Sequence, residues 1–120
     1  MVTEAEAGWL AWTLQSMDAL QERRGLGLED LPLRPSEYFK RQSAVTIIND
    51  LVVLNNLEFT GTDCIMWAND YPHDEGTYPH SARTRREILD KTTPEQAYQI
   101  FVGNAARIYG FDVAEFSKEG

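Results

Sequence analysis

The chain has 120 residues, room for one domain. Its composition, 42% hydrophobic and 25% charged, is that of an ordinary globular protein and excludes the disordered and membrane-embedded classes. A formal charge of −8, from 19 acidic against 11 basic side chains, removes any general attraction to phosphate backbones or anionic lipid, so no nucleic acid and no membrane is expected as a partner.

Residues 1–7 are acidic and hold no long apolar run, so neither a signal peptide nor a membrane anchor is expected. Met1, Val2 and Thr3 read as the tail of a strand rather than the start of a domain. From Gly8 to Arg24, Leu10, Leu14, Met17 and Leu20 recur at spacings of four and three with polar residues largely between them. This predicts an amphipathic helix with Arg23 and Arg24 in its last turn and Gly25 as its stop. Trp9 and Trp12 fall near its first turns. Packing is one role for both; Trp9, nearest the preceding strand end, is also a candidate for lining a pocket.

Gly25, Gly27, Pro32 and Pro35 mark an exposed connection, and residues 36–41 form a single helical turn or an extended lead-in. Residues 43–48 are β-branched and almost continuously apolar, the pattern of a strand covered on both faces. Asn49 or Asp50 can then cap a short helix through Leu51, Val52, Val53, Leu54 and Leu57, with Gly61 as its end. A second apolar run from Cys64 to Ala68 completes a β-α-β unit, so the two strands should be parallel and the crossover right-handed. Cys64 is the one cysteine. It can form no internal disulfide, and a buried structural thiol in a cytoplasmic protein is the expectation.

The second run ends in a cluster of polar and ionisable groups: Asn69, Asp70, His73 and Asp74, followed by Tyr78, Pro79 and His80. A buried strand that delivers a carboxylate to a pocket rim has this form, and Asp70 is the leading functional candidate. Its alternative role is a loop hydrogen-bond acceptor. His73 can ligate a metal or shape the loop, and His80 reads as an exposed residue near a helix start. Asp70, His73, Asp74 and His80 together could bind zinc, although their spacing matches no compact zinc motif. Glu4, at the end of the strand stub, either faces the same pocket or complements the N-terminus of the following helix. Tyr71-Pro72 and Tyr78-Pro79 are bonds of a type in which cis isomers occur.

Residues 81–90 predict a helix with Arg83, Arg85 and Arg86 on its exposed face and Ile88 and Leu89 as its apolar residues. Thr93-Pro94-Glu95-Gln96 is a helix start, with Thr93 as N-cap and Gln96 closing a capping box. Tyr98, Ile100, Phe101 and Val102 offer apolar surface before Gly103 ends this helix; a second turn, Asn104 to Tyr109, stops at Gly110, with Phe111, Val113 and Phe116 available to dock the tail. The sequence thus reads as α/β with two full parallel strands and one stub. A closed (β/α)8 barrel takes about 250 residues, so a piece of a larger barrel or sheet is expected, completed by another chain or by further residues.

The segments Trp67-Ala68-Asn69-Asp70-Tyr71-Pro72-His73, Gly103-Asn104-Ala105-Ala106-Arg107-Ile108-Tyr109-Gly110 and Pro35-Ser36-Glu37-Tyr38-Phe39, with the entry from Glu4 to Trp9, resemble the C-terminal part of amidohydrolase family 2. These are the metal-dependent hydrolases and decarboxylases related to aminocarboxymuconate semialdehyde decarboxylase. The resemblance covers nearly the whole chain in order. It implies that residues 1–120 are the C-terminal portion of a (β/α)8 TIM-type barrel, with residues 1–4 ending strand six, 43–48 forming strand seven and 65–69 strand eight. Asp70 then matches the aspartate that approaches a divalent metal, with zinc the expected ion, and its bound water. The family's other ligands, a His-x-His pair after the first strand and a histidine from the fifth, have no counterpart here.

The resulting expectation is a segment that is inactive alone. In the complete enzyme it supplies Asp70 as catalytic group and metal ligand, with Glu4, Trp9 and His73 contacting substrate. The chemistry is hydrolysis or non-oxidative decarboxylation of a small carboxylate or amide-like substrate through metal-activated water. The alternatives are a non-catalytic subunit that binds an N-terminal partner chain through open sheet edges, and a truncated product that folds through self-association.

Overall fold

The computed structural model describes residues 1–24 and 30–116. Helix α1, Leu10–Arg24, begins two residues later than the sequence pattern suggests, because Gly8 and Trp9 form the turn that feeds it. Leu10 and Leu14 are buried, whereas Met17 and Leu20 are exposed. The expected stop at Gly25 lies outside the described residues, as does the Phe116 side chain.

Helix α2, Pro35–Gln42, is longer than the single turn or extended lead-in expected. Two carboxylates account for this. Glu37 accepts from the Arg34 N–H at 2.8 Å, and Asp18 of α1 accepts from the Ser36 N–H at 2.9 Å and its hydroxyl at 2.6 Å, so the free N–H groups of the first turn find partners.

Strand β1, Val45–Ile47, and strand β2, Ile65–Trp67, pair in parallel in the register Val45–Ile65, Thr46–Met66 and Ile47–Trp67. Val2 adds an isolated parallel bridge to Val45 on the other side of β1, so the stub of strand is present as one bridge. Side chains alternate across a strand. Val45, Ile47 and Ile65 therefore share a face, and all three are fully buried in one core with Leu10, Leu14, Ile88 and Ile100.

The crossover between the strands departs from the single short helix expected. It forms two pieces, α3, Leu51–Leu54, and α4, Leu57–Thr60. Asp50 is the N-cap of α3, accepting from the Val52 and Val53 N–H groups. The break falls at Asn55 and Asn56; the Asn56 side chain bonds back to the Val52 carbonyl and Lys91 holds Asn55. Asparagine side chains that compete for backbone groups interrupt a helix in this way.

Helix α5, Ser81–Leu89, is followed by α6, Pro94–Tyr98, started by the expected Thr93 and Gln96 capping box. Gly103 does not end this helix. The chain passes through a π turn, Gln99–Gly103, directly into α7, Asn104–Tyr109. The glycine instead permits close approach, since a Cβ there would stand 2.6 Å from the Gln99 side-chain oxygen. Gly110, at φ 73, ends α7 in the left-handed conformation as expected, and α8, Val113–Phe116, follows. No helix among the described residues is long and apolar enough to cross a membrane.

Candidate functional site

Strand β2 ends at Trp67, whose indole N–H donates to the Ile48 carbonyl at 3.0 Å and whose ring meets Phe101 edge-on at 5.6 Å. The chain then enters a loop closed on itself. His73 N–H donates to the Asp70 carbonyl, Gly76 N–H to that of His73, and Thr77 N–H to that of Asn69. A Cβ on Gly76 would lie 2.9 Å from three backbone carbonyl oxygens, those of Asn69, Asp70 and His73, so only glycine fits. Both Tyr-Pro bonds are cis, and Tyr71 and Tyr78 pack edge to face at 5.0 Å.

Within this loop Asp70 has φ 56, in the left-handed region that side chains rarely adopt. Its carboxylate oxygens receive Nδ1 of His73 at 3.1 and 3.2 Å, with the Asp70 side chain 17% exposed and that of His73 63% exposed. Glu4, also at φ 56, comes to the same place from the residues following the Val2 bridge. One ligand atom each from Glu4, Asp70 and His73 lies within 4.8 Å of the others. With Glu75 these three residues line a hollow of about 390 Å³.

Two of the three candidate substrate residues thus meet Asp70. Trp9 does not; it borders a separate hollow of about 520 Å³ with Glu6, Asn49 and Asp50, and its indole N–H is taken by the carbonyls of Ala5 and Glu6. Asp74 and His80 stay out of the cluster, and His80 is the N-cap residue of α5 with no side-chain cap bond. Arg85 stands over the Phe101 ring and Arg83 pairs with Glu87.

Two carboxylates and an imidazole are a donor set suited to a divalent ion. Ligand atoms about 2.1 Å from a common ion lie at most about 4.2 Å apart. The set gathered within 4.8 Å is thus only slightly wider than such a coordination sphere. Three protein donors also leave coordination positions open.

The tie that aims β2 carried no assigned role in the sequence. Asn104, 1% exposed, donates through its side-chain amide to the Thr62 carbonyl at 2.7 Å and the Ile65 carbonyl at 2.8 Å. Arg107, one turn on, donates to the Asp63 carbonyl at 2.7 Å. A polar asparagine in an otherwise small and apolar stretch of helix was the available signal.

The amidohydrolase family model matches residues 8–111. The chain belongs to the amidohydrolase family. Among solved structures, 5-carboxyvanillate decarboxylase LigW from Sphingomonas paucimobilis aligns over 87% of this chain with a TM-score of 0.64 and 23% identity. This chain spans 31% of the length of that protein. The likeness establishes the fold: an α/β arrangement corresponding to part of a TIM-barrel amidohydrolase. No curated protein matches by sequence.

Proposed function

We propose that this amidohydrolase-family chain provides the end of a barrel, strands six to eight, and one wall of a metal-dependent active site for hydrolysis or non-oxidative decarboxylation of a small carboxylate or amide-like substrate. The observation that carries the reading is the convergence of Glu4, Asp70 and His73 beyond the C-terminal ends of parallel strands, where such barrels keep their sites. Asp70, Glu4 and His73 would hold the divalent ion, with zinc as the first candidate. A divalent ion supplies a Lewis acid that brings the pKa of water toward about 7.

The chain's own groups do the remaining work. Asp70, fixed by the closed loop, offers an oxygen to a proton or to the ion. His73, whose Nδ1 lies against both Asp70 oxygens, orients that carboxylate. A single buried thiol, Cys64, accords with a cytoplasmic setting.

The experiment is metal analysis of purified chain and of any assembled enzyme, beside Asp70→Asn. The expected result is a bound divalent ion, lost with the substitution together with turnover. Turnover unchanged by Asp70→Asn would remove Asp70 from the mechanism.

One observation favours a second reading, a complementing subunit that is inactive by itself. The sheet has β1 in its centre, and neither β2 nor Val2 has a further strand beside it among the described residues. Trp12 and Phe59 are 71% and 60% exposed. Open strand edges recruit further strands, and an N-terminal partner chain or a second copy would supply them. Sedimentation decides: a compact, stable monomer contradicts this reading.

A further inference from the structure

Glu4 stands exposed and left-handed, and the ties that fix its backbone come from its neighbours. On one side, Val2 is bonded to β1, its N–H donating to the Ala44 carbonyl and its carbonyl accepting from Thr46. On the other, Glu6 reaches the loop after β1, its carboxylate accepting from the Ile48 N–H at 3.0 Å and the Asn49 N–H at 3.1 Å. Asp50 reaches back from that loop. One of its oxygens accepts from the Ala7 N–H at 2.7 Å, and the other from the Val52 and Val53 N–H groups at 2.9 and 3.1 Å. Two carboxylates therefore lock residues 6–7 to residues 48–53, more than forty positions away, using every oxygen they have.

A glutamate with positive φ relaxes to extended backbone unless its surroundings over-determine it. Here the Val2 bonds hold one side of Glu4 and this double tie holds the other, where Glu6 is itself left-handed, at φ 48. We propose that Glu6 and Asp50 are positioning residues: acting through the backbone, they keep the Glu4 carboxylate beside Asp70 and His73. The divalent-ion site then depends on two carboxylates that never touch the ion. This rests on the metal reading of the cluster given above.

Carboxylates are required because each receives N–H groups on both oxygens. A glutamine at position 6 would keep one acceptor and turn an NH2 group toward the other donor. The test uses the whole chain with Mn²⁺ alone as probe, free Mn²⁺ being read by electron paramagnetic resonance. Glu6→Gln is expected to weaken binding tenfold or more, as is Glu4→Gln. The double variant should lose no more than Glu4→Gln alone, since Glu6 works through Glu4. Thr93→Ala, in the remote cap of α6, controls for general destabilisation: it should lower the urea midpoint and leave Mn²⁺ affinity unchanged.

Additive losses in the double variant, or an equal loss of affinity in Thr93→Ala, overturn the proposal. A second readout needs no metal. The amide-to-Hα coupling and the Cα and Cβ shifts of Glu4 report its φ, and Glu6→Gln should move them toward extended values; an unmoved Glu4 overturns the proposal. Should Glu4 move while the unaltered chain binds no Mn²⁺, the positioning role stands and the metal reading of the cluster falls instead.

Discussion

Replacing Asn104 tests whether the orientation of β2, and with it the delivery of Asp70, rests on one buried amide. Asn104→Ala removes two hydrogen bonds of 2.7 and 2.8 Å from a side chain that is 1% exposed. Each is worth about 1 kcal/mol net, and truncation of a buried side chain adds a packing loss, so the expected cost is about 2–4 kcal/mol. Asn104→Asp keeps the shape but points an acceptor at two carbonyl oxygens. Burial and that contact raise the pKa of the introduced carboxyl above its unfolded value of about 3.9. The sign follows: stability is retained below the unfolded pKa and lost as pH rises through the folded one. Asn104→Asp should therefore be worse than Asn104→Ala at pH 7.5 and approach it as the pH falls. Urea unfolding at several pH values between 5 and 7.5 measures both. An Asn104→Ala cost below about 1 kcal/mol, or a gap between the variants that does not change with pH, refutes the reasoning.

Three further outcomes are expected. Gly76→Ala forces a Cβ to 2.9 Å from three carbonyl oxygens, and should cost about 1–3 kcal/mol in thermal unfolding while reducing retained metal. Burial, the largest influence, raises the Cys64 thiol pKa above 9.0 against the opposing pull of Lys40 and Arg107; stability should hold below that pH and decline above it by up to about 1.4 kcal/mol per pH unit, and Cys64→Ala should flatten the alkaline limb of a urea midpoint series. Thr93→Ala removes a cap that accepts from Gln96 N–H at 3.2 Å and should cost about 1 kcal/mol in urea unfolding.

What the sequence disclosed followed from local pattern. Buried parallel strands are continuously apolar, so residues around β1 and β2 stood out, and Thr93, Pro94 and Gln96 mark a helix start whose chemistry is contained in four residues. Asp70 stands out as a candidate because a polar cluster follows an apolar run, and the structure places it beside Glu4 and His73. Gly103 departs from its expected role for a physical reason: a glycine that ends a helix and one that admits a neighbouring side chain look alike in sequence, and here Gln99 lies against it. The Glu6 and Asp50 ties were out of reach because they join residues 42 or 43 positions apart, a separation that leaves no period. Nearness in sequence makes Trp9 a candidate for the Asp70 pocket; the structure places it instead at a separate hollow, its indole turned back onto the carbonyls of Ala5 and Glu6.

The three members of the cluster reach one another from two loops, and bonds within the protein brace each of them. Asn69 to Thr77 is closed by its own backbone bonds around Gly76, while residues 6–7 are held by carboxylates to the far end of β1. Asp70 and Glu4 both occupy the left-handed region, and such conformations survive only where surrounding bonds outweigh them. A site assembled by the ion alone would leave those backbones free to relax when the ion is removed. This one should keep its shape, so chelation is expected to change hydrogen exchange at the Asp70 and Glu4 amides little, whereas Glu6→Gln should accelerate exchange at Ile48 and Asn49 with or without metal. Large chelator-induced exchange confined to residues 69–77 would show that the ion, and not the closed loop, holds Asp70 in place.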